Sequence, residues 1–98
     1  MHKLENIADG IRHHFDVRTS KRDEALKQAR QLTRACSLAI RAVHRDDQEA
    51  MDSNLAEAQS LADKLRDELK GHPDLFYAGY TQDSLKEFVE ANVTCALI

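Results

Sequence analysis

The sequence predicts an all-α fold: an antiparallel helical bundle in which one very long N-terminal helix is followed by two further helices, in a chain that self-associates. Three observations carry this. Apolar residues recur at helical period along nearly the whole chain, with no strand-like alternation, repeat or low-complexity linker. One proline and three scattered glycines are the only strong breakers in 98 residues. A content of 42% hydrophobic and 32% charged residues suits a packed, helix-rich chain rather than a disordered one. At this length the chain is a single domain, residues 1–98.

The first helix is read from phase. With Arg30 set at 0° and about 100° per residue, Leu4, Ile7, Ile11, Phe15, Ala25, Leu26, Ala29, Leu32, Thr33, Cys36, Ile40 and Val43 fall between about 200° and 320°. The phase does not slip from Leu4 to Val43, which predicts one helix of about 43 residues, roughly 65 Å long. Gly10 costs it about 1 kcal/mol relative to alanine. A break at "RTSKRDE", where Ser20 and Asp23 would form a capping box, is the competing reading.

For the second helix, Asp46 is the expected cap, with Glu49 three residues on completing a capping box. Met51, Leu55, Ala58, Leu61, Ala62, Leu65 and Leu69 then follow at helical spacing. Lys70 suits the last turn and Gly71 the position just past it. Pro73 suits a first helical turn, so a third helix is expected from Pro73 to the end, carrying Leu75, Leu85, Phe88, Val89 and Val93. Gly79 is read as a close helix crossing. The closing "NVTCALI" is an apolar run without a cap, and the long first helix has too few partners to cover its stripe. Further protein or other subunits are therefore expected on these surfaces.

The net charge of -3 is unevenly spread. Residues 1–45 carry ten Lys/Arg against five acids, and residues 46–98 carry four against twelve. Either the halves attract each other or the basic half meets a polyanion. "MHKLENIADG" has no apolar signal-peptide core, and no run is long enough to span a bilayer. Cys36 and Cys95 sit in apolar-periodic segments, as small buried thiols do in a reducing cytoplasm. There is no nucleophile elbow, phosphate-cradling glycine loop or Cys-x-x-Cys, and the five histidines form no ligand set.

Two constellations remain. Arg12, Lys27, Arg30, Arg34, Arg41 and Arg45 fall between about 0° and 60°, a cationic ridge opposite the apolar stripe. Such a ridge attracts regularly spaced phosphates, or is a solvated face paired to the acidic second helix. Arg18 and Arg22 lie inside the stripe, where a charge must reach an acid, snorkel to water or line an interior channel. Asp83, Glu87 and Glu90, spaced i, i+4, i+7, span about 60° of helix surface. They form an ordinary wet face, or an oxygen-rich flank suited to Mg²⁺ or Mn²⁺, which activates water and steadies a phosphodiester's charge.

"FDVRTSKRDEALKQARQLTRACSLAIRAVHR" (Phe15–Arg45) resembles the first-helix signature of translin and translin-associated factor X, through Arg18, Arg30, Thr33, Ile40 and His44–Arg45. "HPDLFYAGYTQDSLKEFVEA" (His72–Ala91) resembles that family's Leu-Gln-Glu-Tyr/Phe-Val-Glu-Ala motif and is closest in style to prokaryotic translin-like proteins. The resemblance implies an all-α fold that assembles into hexameric to octameric hollow shells, with a homo-oligomer or a second translin-family subunit as partner and single-stranded RNA or DNA as ligand. It implies phosphate contacts from Arg18, Lys27, Arg30, Arg34, Arg41 and Arg45. Some members are Mg²⁺-dependent endoribonucleases whose two motif glutamates are catalytic. These match Glu87 and Glu90, with Asp83 near enough to add a metal ligand. Lys86 replaces the usual glutamine. Family members are also about twice this length, and the remainder carries a third catalytic aspartate whose place Asp83 does not take.

Overall fold

The computed structural model describes the backbone of residues 2–98 and the side chains of 6–12, 17 and 19–98. The described residues form four helical segments and no strand: α1 (His2–His44), α2 (Gln48–Glu68), α3 (Pro73–Phe76) and α4 (Gly79–Leu97). The molecule measures 68 × 18 × 17 Å, so its long axis is that of the 43-residue α1.

The turn from α1 to α2 is tight and doubly bonded. The N–H of Asp46 donates to the Val43 carbonyl at 3.1 Å, and the N–H of Asp47 donates to the Ala42 carbonyl at 2.9 Å. This closes α1 with Asp46 in the left-handed region, φ 57°, where glycine is the usual occupant. Asp47 then caps α2, its carboxylate accepting the Ala50 N–H at 3.1 Å. The cap therefore lies one residue later than expected. Asp46 is committed to ending α1, and with Asp47 as the cap the capping-box position falls on Ala50, not Glu49.

α2 runs back along α1, and α4 returns parallel to α1. Gln28 of α1 meets Glu68 at the far end of α2, while Cys95 packs with Ala42, Val43 and Met51 at the turn. The core is built from Leu32, Cys36, Leu65, Leu69, Leu75 and Phe88 together with a seam of alanines, Ala25 and Ala35 on α1, Ala58 and Ala62 on α2, and Ala91 on α4. Small seam residues let helix axes approach closely. Each fully buried leucine contributes about 1.5–3 kcal/mol relative to exposure.

The segment expected as a third helix is two. Ala78 is extended (φ -62°, ψ 146°) and separates α3 from α4. The break is stable because side chains replace the lost ladder. The Thr81 hydroxyl donates to the Leu75 carbonyl and the Gln82 amide to the Phe76 carbonyl, both at 2.8 Å. Gly79 opens α4 and has nothing within 4 Å of where a Cβ would stand, so no helix crosses there. Pro73 does occupy the first turn of α3. Gly71 does not close α2: the cap is Leu69, and no described glycine has positive φ.

The apolar stripe of α1 is covered only over its second half. Ala25, Ala29, Leu32, Cys36 and Val43 are buried, whereas Ile7 and Ile11 are 62% and 64% exposed. Leu4 and Phe15 lie outside the described side chains.

Candidate nucleic-acid interface and carboxylate flank

The ridge faces water. Arg12, Lys27, Arg30, Arg34, Arg41 and Arg45 are all exposed, with Arg34 at the margin that borders α2. Arg45 reaches Asp47 at 3.4 Å and Arg12 reaches Asp9 at 3.8 Å. Among the described residues, Lys27, Arg30, Arg34 and Arg41 make no ion pair, with α2 or with anything else. Lys27, Arg30 and Arg34 line an open depression of about 440 Å³ together with Asp23, Leu26 and Gln31. A second depression of about 510 Å³ continues from it toward α2, shared through Gln31 and Arg34 and walled by Ala35, Leu38, Glu57 and Leu61. The result is a track of guanidinium and ammonium heads beside patches of leucine, with Asp23 and Glu57 as its negative margins. Arg18, expected in this set, lies outside the described side chains. Arg22 is exposed on the uncovered half of the stripe.

The carboxylate flank divides. Glu87 is half-buried, while Asp83 and Glu90 are exposed. Glu87 leans toward α1, where its charge adds to the pressure on the Cys36 thiol. Cys36 is 0% exposed, and burial first, then Glu87, pushes its pKa up from 9.0 to about 11. Burial also raises the Cys95 thiol. Among the described residues, no three His, Cys, Asp or Glu side chains gather into a group able to hold a metal ion. Asp83, Glu87 and Glu90 therefore do not converge as a three-ligand set. Glu87 turns inward to α1 while its two neighbours project into water.

Gln28 sits at about 160°, just beyond the apolar arc. The structure buries it, with its amide nitrogen donating to Glu24 at 3.2 Å and also to Glu68. Its Oε1 and the Tyr80 hydroxyl are buried without a described partner. Gln28 shares its face with the buried Ala35, Ala39 and Ala42, and that alanine run at helical spacing is the sign in the sequence that the face is interior.

Compared with known proteins, the chain is 37% identical over 73 residues to an uncharacterised protein of Methanocaldococcus jannaschii. The match covers 74% of this chain but 32% of the relative, so the chain spans about a third of that protein's length. No family model matches the chain, and no solved structure matches it. No described helix is long and apolar enough to cross a membrane.

Proposed function

We propose that the chain is a translin-like subunit that binds single-stranded RNA or DNA along α1 and acts within an oligomer built on that long helix. The observation that carries this is the row of exposed Lys27, Arg30, Arg34 and Arg41 on one face, with no ion-pair partner among the described residues. Their steps of three, four and seven residues rise by about 4.5, 6 and 10.5 Å, an uneven row whose long side chains reach phosphates along an extended strand. A basic surface that tracks the phosphate backbone is the sequence-independent half of the usual single-strand design, and the depressions here supply that half without the aromatic stacking platform. Arg45 and Arg18 extend the same contact by resemblance to the family.

Glu87 and Glu90 are the residues we assign to a metal-dependent ribonuclease step, with Mg²⁺ or Mn²⁺ as cofactor and Asp83 as an auxiliary ligand. When bound, the cation would supply an activated water and neutralise charge on the phosphodiester. The two glutamates would hold it by their oxygens. Both cysteines are free thiols, which supports a reducing, cytoplasmic setting. The double variant Glu87→Ala with Glu90→Ala is expected to retain RNA but lose Mg²⁺-dependent cleavage. Cleavage that survives in a clean preparation would remove both residues from the chemistry.

A second reading is a non-catalytic assembly module whose acidic flank makes structural ion pairs with a neighbouring chain. The exposed Val89, Val93 and Leu97 on α4 favour it. It predicts a defined oligomer with no salt-dependent affinity for oligonucleotides.

A further inference from the structure

Two faces of the molecule are apolar and uncovered. On the first half of α1, Ile7 and Ile11 stand on the azimuth that farther along carries the buried Ala29, Cys36 and Val43. On α4, Val89, Val93 and Leu97 recur every fourth residue and are 56%, 52% and 80% exposed. Charges border both faces. Lys21 and Arg22 are exposed on the first, Asp83 and Glu90 on the second, and none of the four has an ion-pair partner among the described residues.

We propose that these faces are two halves of one interface, closed when two copies of this chain pack antiparallel and exchange them. The register is set by spacing. Placing Ile11 of one copy against Val93 of the other brings Ile7 opposite Leu97 and Lys21 opposite Asp83, since antiparallel partners move apart by equal steps along the two axes. The lengths agree as well. From the exposed Ile7 to the exposed Glu24, α1 rises roughly 26 Å, and α4 is roughly 29 Å long.

The shape closes the argument. In one copy α1 and α4 run parallel, with Glu87 near Cys36 and Cys95 near Val43. A partner whose α1 opposes this α4 is therefore reversed end for end. Its own α4 then meets the first copy's α1 in the same register, which is a two-fold arrangement. The thick half of each rod lies beside the thin half of the other. Two contacts, each roughly 30 Å by about 10 Å, remove about 1,200 Å² in total, at the lower end of stable specific interfaces. The cationic ridge is on the opposite side of α1, so both ridges stay open. The proposal stands independently of phosphate binding on the ridge, but it takes Asp83 as the partner of Lys21 and not as a metal ligand.

Sedimentation equilibrium tests it on the full chain, with circular dichroism confirming helix content in every variant. The wild type is expected at twice its 11.1 kDa mass. Lys21→Glu and Asp83→Lys should each weaken the dimer by about tenfold or more, and the double exchange should recover most of that loss. Ile11→Cys with Val93→Cys, in a Cys36→Ala, Cys95→Ala background, should form an intermolecular disulfide under mild oxidation, a readout that needs no charge change. A wild type that stays at 11.1 kDa up to high micromolar concentration overturns the proposal. So does a dimer in which that cysteine pair fails to cross-link, or in which the double exchange recovers nothing.

Discussion

Glu87 on α4 stands close enough to the wholly buried Cys36 on α1 to reinforce, behind burial itself, a thiol pKa pushed up to about 11. Together with Cys95 packed against Val43, this sets α4 parallel to α1 and places Glu87 at the edge of the core.

The thiol relation predicts a pH dependence. The folded thiol holds its proton above the value of about 9 that it has when unfolded, so between those limits the folded state binds more protons. Its contribution to stability is complete below pH 9 and is lost as pH rises through about 11. Urea titrations across that range should show the wild type losing stability more steeply than Cys36→Ala. At pH 8 a thiol reagent should label the half-buried Cys95 first and reach Cys36 only on unfolding.

At the α1–α2 turn, two neighbouring aspartates have opposite tasks. Asp46 is held at φ 57°, so Asp46→Gly should stabilise by about 0.5–1 kcal/mol. Asp47 caps α2, so Asp47→Ala should destabilise by about 1 kcal/mol. Denaturant midpoints of the two variants should move in opposite directions. If both move down, Asp46 is not strained.

The core predicts an asymmetry between deletion and insertion. Leu65→Ala removes a fully buried side chain and should cost about 2–5 kcal/mol. Ala62→Leu adds bulk to the alanine seam and should cost about 1–3 kcal/mol by forcing α1 and α2 apart. Thermal or urea unfolding measures both, and a neutral Ala62→Leu would mean that the helices are not closely seated there.

Much of this architecture was legible in the sequence because burial on a helix follows its period. Ala25, Ala29, Leu32, Cys36 and Val43 are interior where the wheel puts them, but Leu26, Thr33 and Ile40 are only half-buried and the buried face extends to Ala35, Ala39 and Ala42, outside the predicted arc; the ridge from Lys27 to Arg45 faces water. What covers a stripe is another matter. Ile11 and Ala29 share a phase, yet one is exposed and the other buried, since α4 reaches only the second half. The cap slipped by one residue because Asp46 and Asp47 are chemically identical, and only the hydrogen bonds back to Val43 and Ala42 assign their roles. The break at Ala78 lies directly before Gly79, which reads in the sequence as a helix crossing and not as a helix start, and it is held by Thr81 and Gln82, whose side chains carry no such signal. Asp83, Glu87 and Glu90 share a flank by spacing, but which of them turns inward depends on α1, an element roughly 50 residues away in the chain.

The most direct test of the proposed function is the salt dependence of single-stranded RNA binding, measured by fluorescence anisotropy on the wild type and on Arg30→Ala/Arg34→Ala/Arg41→Ala. Each phosphate contact contributes about -0.7 to the slope of log affinity against log salt. Four contacts predict roughly a fifty-fold loss between about 50 and 200 mM salt, and the triple variant should keep only about a quarter of that slope. Binding that is absent, insensitive to salt, or unchanged in the triple variant would contradict the account.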